Sequence, residues 1–598
     1  MPIEMNCPHC GAKMRVADAA IGKEGRCPNA ACGKPFVIPG APRPKDQDGT
    51  PLSLDFPEWG VRPQSSTQQA GQQPTPKTAP VSSGKILPRK SVAHRERPRS
   101  RPEVRSHPSL FWRVLLAMGL MVGFYLLAIA VAAGLLYIPY AEITYTRRLH
   151  GKLAVGCIIA ALTIIWSVLP RVDRFAPPGP RLLPEHHPHL FRELARIAEL
   201  TEQAMPQEVY LVPDINAWVG YRGGVMGFGS RMVMGLGLPL VGILKASGLR
   251  AVLAHEFGHY YGGDTKLAPW VYKTRVAIGR TLANLGDHWI QKPFVLYAKM
   301  FLRVTNAVSR RQEYAADALA ARIAGAQSLI VGLMEIHRGG SVFGAYWESE
   351  VVPVLSSGFR PPITAGFSLF LRADEISGVA SQLLKSEIED TKVDPYDTHP
   401  PLRDRIAELE KLREDQARPG DDPSALSLFG DVDVLEQELL KELLGQDRVR
   451  AARKIRWEDA LTKVYLPAWT KHAKKHASLL AGFRLSQLPE LMQKPEQWMA
   501  RFNGVLGEHI FEEEKREAAG GIIGPALIVV LAGRGSRVLC KVGHPVEVSC
   551  GALRIRPFSL FKEFSPDRIT PEQWLAFCER SGLGDVDLGS AVQSIPGT

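Results

Sequence analysis

The chain has 598 residues, of which 45% are apolar and 22% charged. That balance excludes a wholly disordered, collagen-like or coiled-coil protein, and the length suggests about four structural units. The net charge is +12, from 73 basic and 61 acidic residues. Residues 85–105 hold eight Lys/Arg against Glu96 and Glu103, so half of the excess is local and no chain-wide nucleic-acid surface is indicated.

In chain order, the first 40 residues contain Cys7-x2-Cys10 and Cys27-x4-Cys32 in Gly/Pro-rich turns. Eight cysteines in all are too few for a disulfide scaffold. Two thiolate pairs at this spacing predict a zinc ribbon whose four ligands leave no open position, so the ion is structural. The start lacks an apolar core, so no signal peptide is expected and the module belongs in a reducing cytosol. Few basic and aromatic residues favour protein docking or a structural role over nucleic-acid binding. Residues 41–107, with 11 Pro, lack apolar periodicity and read as a disordered Pro/Gln/Arg-rich linker.

Two apolar runs follow, about 114–138 and 153–169, and they predict a transmembrane hairpin within 108–170. Trp112, Tyr137, Tyr140 and Trp166 sit where interface aromatics belong. The heavier basic flank precedes the first run, which places both ends of the hairpin in the cytoplasm, in the plasma (inner) membrane.

Residues 181–415 read as mostly helical, with strands near Val209–Val212 and Arg231–Met234. Ser247 and Gly262 suit the start and stop of a helix that carries His255-Glu256-Phe257-Gly258-His259. Positions i and i+4 share a helix face, so His255 and His259 can aim two imidazoles at one metal, with Glu256 beside them to take a proton from water. Catalytic zinc usually has three protein ligands and an open position. A second helix, about Pro293 to Ala324, supplies Glu313 as the third ligand. Asp317, one turn on, can accept a hydrogen bond from a ligating histidine. A third helix begins at His399-Pro400-Pro401.

HEFGH followed by Gly263-Asp264-Thr265, then Ser309 to Asp317 (SRRQEYAAD), then His399 to Ile406 (HPPLRDRI), resembles the HtpX-like zinc metallopeptidases and the related CAAX prenyl endopeptidases. Asn216-Ala217 resembles the Asn-Ala that this family carries on a strand before the active helix. The likeness covers about residues 110–410. It implies a gluzincin fold, with His255, His259 and Glu313 as ligands of a catalytic zinc and Glu256 as catalytic base. It also implies that His399 and Arg405 lie near the active site, where either is a candidate donor to the oxyanion. Bacterial HtpX proteins carry further apolar spans between the active helix and the third ligand. Here residues 266–311 are interrupted by Lys273, Arg275, Arg280, Lys292, Lys299 and Arg303, so spans are not expected there.

Residues 420–598 match nothing in that family. Val432–Leu444, Ile455–Tyr465 and Gln487–Leu506 read as helices. Residues 525–556 read as short strands, and the stretch 521–533, which contains Pro525, as a buried strand. His186-His187-Pro188-His189, the basic run around His472 and His476, and the Gly-rich 220–229 carry no chemistry of their own. The fold class expected is thus a multidomain membrane protein: a small ribbon, a two-helix hairpin, a mainly α zincin-type (α+β) peptidase domain and an α+β C-terminal region. The expected partners are protein or peptide substrates and the lipid bilayer, with two zinc ions, one catalytic and one structural. The alternative is a catalytically inactive membrane scaffold. Oligomeric state and substrate identity are not legible.

Overall fold

The computed structural model describes residues 3–6, 13–16, 24–26, 35–37, 108–169, 175–224, 229–259, 268–286, 288–390, 394, 397–412, 422–502, 512–564 and 568–596. The chain divides into two compact units, 1–102 and 103–598. In the first, β1 (Ile3–Asn6) pairs antiparallel with β2 (Lys13–Val16), and β3 (Glu24–Arg26) with β4 (Pro35–Val37). Cys7, Cys10, Cys27 and Cys32 and the linker 41–107 lie outside the described residues.

The second unit opens with α1 (Pro108–Ala141) and α2 (Gly151–Val168). Three later helices build the rest of its centre: α3 (Ala246–Gly258), α4 (Ala268–Leu285) and α5 (Lys292–Ala324). Among the described residues two helices are long and apolar enough to cross a bilayer, Leu115–Thr146 and Gly151–Val168. Their outer sides leave Val122, Leu126, Ile129, Val155, Ile159 and Leu162 exposed, a surface suited to lipid and not to water. Their inner sides meet α4 and the first half of α5. Tyr297 donates to the Leu120 carbonyl at 2.6 Å, and Asn284 to Ser167 Oγ at 2.8 Å. The charged insertion is therefore a helical hairpin docked on the spans. Arg275, one of the charges that interrupts it, is held by Thr305 and Asn306 of α5.

A four-stranded sheet in the order β5-β6-β8-β7 lies between the spans and α3 in the chain, from β5 (Arg181–Leu182), β6 (Glu208–Val212), β7 (Ala217–Arg222) and β8 (Arg231–Gly237). β6 and β8 are parallel, and β7 pairs antiparallel with β8 at the sheet edge. Under this sheet lies α3, apolar on nearly every side and buried on nearly every side. Its start is not capped by Ser247 as expected. The helix begins at Ala246, and the Ser247 amide and hydroxyl bond Asp422 at 3.2 and 2.6 Å. Gly262 is outside the described residues, and the helix ends at Gly258.

The boundary expected near residue 420 does not separate two cores. Ala425, Phe429, Leu435 and Leu439 pack into the same core as α3 and the sheet. β9 (Phe359–Arg360) pairs in parallel with β10 (Arg453–Lys454), over a second core shared by residues 342–380 and 440–464. A third core gathers residues 473–592. There the short strands expected within 525–556 form as a three-stranded sheet, β11 (Arg537–Leu539), β12 (Glu547–Cys550) and β13 (Leu553–Ile555).

Two local readings are corrected. The stretch 521–533 is not a strand but the end of a helix, Glu512–Gly533. It is buried around its circumference, which removes any helical periodicity from the sequence. Pro525 lacks the amide that would pair with the Gly521 carbonyl. The His472 ring donates to that carbonyl instead, so the imidazole has a structural task. Gln487–Leu506 is not one helix: Leu488–Gln493 is followed by 3-10 turns at Pro495–Gln497 and Met499–Phe502, because Pro495 interrupts the ladder.

Candidate active site

The helices α3 and α5 cross closely because small residues face each other. A Cβ on Gly258 would lie 2.9 Å from the Cα of Ala316. This approach brings His255, His259 and Glu313 together, with one donor atom from each within 4.8 Å of the others. His255 Nε2 lies 3.4 Å from Glu313 Oε2, and His259 Nε2 lies 3.5 Å from Glu313 Oε1. Ligands at about 2.0–2.2 Å from a tetrahedral zinc are about 3.3 Å apart. The spacing therefore fits zinc. Glu313 Oε2 is buried without a hydrogen-bond donor, as a carboxylate oxygen awaiting a cation would be.

Around this group the other expected residues take distinct places. Asp317 Oδ1 is 2.9 Å from His255 Nδ1, on the ring edge away from Glu313. Arg405 donates to both Asp317 oxygens, at 2.8 and 2.7 Å, and its guanidinium is buried. It sits 3.7 Å from Glu313 Oε2. Its expected part as a donor to the oxyanion is unsupported, because its two charge-assisted bonds hold it behind the histidine. His399 is different. Its ring is 60% exposed and its Nε2 is 3.7 Å from Glu313 Oε1, facing the open side. Glu256 is beside His255, and its carboxylate accepts the Val219 amide of β7. Nothing in the sequence singles out Val219 itself; the Asn216-Ala217 pair that opens β7 is the nearest signal. Gly263-Asp264-Thr265 is outside the described residues.

The electrostatics follow from burial and neighbours. Burial disfavours a charged His255, but the Asp317 and Glu313 carboxylates outweigh that and raise it to about 9. Burial, with His255 adding to it, lowers His259 to about 4. Burial raises Glu256 to about 7. For Glu313 burial is overcome by the His255 ring beside it and by the charge of His259, leaving it at about 2. Asp317 is likewise at about 2, held there by Arg405 and His255 against its burial.

Residues 184–413 match peptidase family M48. A protease HtpX homolog of Pseudarthrobacter chlorophenolicus is 25% identical over 237 residues, covering 38% of this chain and 72% of the relative. One of Acidiphilium cryptum is 31% identical over 189 residues, covering 29% of this chain and 57% of the relative. No solved structure matches the chain. The M48 region and its HtpX-like relatives, with the two apolar helices before it, make the chain a membrane-associated zinc metalloprotease. The inactive scaffold is not favoured.

Proposed function

We propose that the M48 domain hydrolyses peptide bonds of membrane or misfolded proteins, with His255, His259 and Glu313 holding the catalytic zinc and Glu256 as general base. The observation that carries this is the meeting of those three donors within 4.8 Å beside a carboxylate anchored to the edge strand. A zinc ion held there supplies a Lewis acid that polarises the scissile carbonyl and acidifies water. Glu256, at about 7, can take a proton from attacking water and return it to the leaving amine near neutral pH. The Val219 amide keeps that carboxylate aimed into the cleft. An extended substrate aligns along β7, the edge strand of the sheet. His399 donates to the oxyanion that develops on the carbonyl. Asp317 and Arg405 act through His255: they fix its ring and tautomer.

The four N-terminal cysteines hold a second, structural zinc, and that module serves docking or structure. The basic flank before α1 keeps the module and the M48 domain on the cytoplasmic face of the plasma (inner) membrane. The test is full-length protein in detergent with casein as substrate. Wild-type protein carries two zinc ions per chain and cleaves casein in a chelator-sensitive way. Glu256→Gln keeps both ions and loses cleavage by a factor of about 10² or more, the scale of a lost general base. Substantial residual cleavage by that variant overturns the assignment of the base. A metal content near one removes one of the two sites.

A further inference from the structure

We propose that a recess beside the metal-binding group is a subsite for an acidic side chain of the substrate, a reading that rests on the peptidase function above. The recess has a volume of about 240 Å³. One wall is α5, with Arg310, Arg311 and Tyr314; the other is the segment entering helix Leu402–Lys411, with Pro400, Pro401 and Asp404. Both walls adjoin the site in the chain. Tyr314 follows Glu313, and Arg310 precedes it by about one helical turn. Pro400 follows His399, whose Nε2 is 3.7 Å from Glu313 Oε1. An extended peptide advances about 3.4 Å per residue, so a side chain one or two positions from the scissile bond reaches the recess.

The charge of the recess selects its occupant. Arg310 Nη1 donates to the Asp397 carbonyl at 2.7 Å, which fixes this guanidinium beside the loop that carries His399. The carboxylate of Asp404 is already engaged by Arg403, through Nε at 3.1 Å and Nη2 at 3.0 Å. Among the described residues two guanidiniums and one carboxylate line the recess, and the carboxylate is bonded to Arg403. An incoming carboxylate gains charge-assisted hydrogen bonds from the arginines, with the Tyr314 hydroxyl as a further donor. A lysine would meet like charge. The proline rings give a rigid wall, so the arginines and the opposite face keep their spacing when the site is empty.

The test uses full-length, zinc-loaded protein in detergent and quenched peptides that differ at one position, Glu, Gln or Lys, scanned on both sides of the scissile bond. At one position Glu exceeds Gln in kcat/KM by about fivefold to tenfold, the scale of a charge-assisted bond at a half-exposed site. Lys is the poorest there, and added salt narrows the difference. Arg311→Glu, at an exposed position of α5, reverses the order to Lys over Glu while zinc content and the circular dichroism spectrum stay as in wild type. Equal rates for the three peptides at every position overturn the subsite and leave the peptidase reading intact. A Glu preference unchanged in Arg311→Glu overturns it as well. Failure to cut any peptide or casein removes the peptidase reading and the subsite with it.

Discussion

At the residue scale, the site depends on a relay of charge from Arg405 through Asp317 to His255. Arg405 is buried, so removing it leaves the Asp317 carboxylate buried without its cation. Arg405→Ala should lower stability by about 3–5 kcal/mol, the usual result of breaking a buried ion pair from one side. Asp317→Asn should cost less stability but weaken zinc binding, because His255 loses the acceptor that orients it. Thermal unfolding and zinc titration of the two variants separate these effects. A wild-type melting temperature for Arg405→Ala would contradict the relay. His255 also sets a pH dependence. In the metal-free protein its folded value, about 9, is above its ordinary 6.5. A raised value stabilises the fold fully below 6.5, and the contribution is lost as pH rises through 9. Zinc binding must displace that proton, so affinity climbs with pH up to about 9. Unfolding curves of metal-free protein should show stability falling across this window while zinc affinity rises. Parallel trends would refute the assignment.

At the element scale, the distance between α3 and α5 is set by small residues and not by the ligands themselves. Gly258 is followed by His259 and faces Ala316, which adjoins Asp317. A methyl group at 258 must push the helices apart, since the atom it meets is backbone. Gly258→Ala should cost about 1–3 kcal/mol, the range for overpacking a close contact, and weaken zinc binding at the same time. Gly340 is the control, because a methyl group there would meet no atom within 4 Å. Gly340→Ala should leave zinc affinity unchanged. Equal zinc affinity in the Gly258 and Gly340 variants would show that helix spacing does not govern the site. The sequence pattern of this crossing is readable: HEFGH and the apolar stretch around Glu313 both read as helices. The start of α3 is not readable, because Asp422 caps it from 175 residues away in the chain. No local signal at Ser247 encodes that partner.

At the scale of the whole second unit, the region after 420 is bound into the M48 domain. Phe429, Leu435 and Leu439 fill the core beneath α3. The Glu436 carboxylate accepts the Ile363 and Thr364 amides at 3.0 and 2.7 Å, satisfying the start of helix Ile363–Arg372. A chain ended after Leu412 should therefore be insoluble or rapidly proteolysed, even with the spans and every metal ligand present. Limited proteolysis and size exclusion in detergent check this. A soluble, zinc-binding truncation would show that the later residues only decorate the domain. The same packing explains why the docking of α4 and α5 on the spans leaves no mark in the sequence. Their charges interrupt the apolar pattern by which spans are recognised, whereas their contacts with α1 and α2 come from a minority of residues such as Phe294, Ala298 and Phe301.

The sequence alone determined the two apolar spans, the helix carrying His255 and His259, and the helix carrying Glu313 and Asp317. These rest on short-range patterns: length of apolar run, i to i+4 spacing, and residue types with few other uses in an apolar helix. Tertiary structure decided that Arg405 serves Asp317, that Val219 holds Glu256, that Asp422 caps the active helix and that 521–533 is helical. Each depends on partners far apart in the chain, or on burial from all sides, and neither leaves a period in the sequence to read.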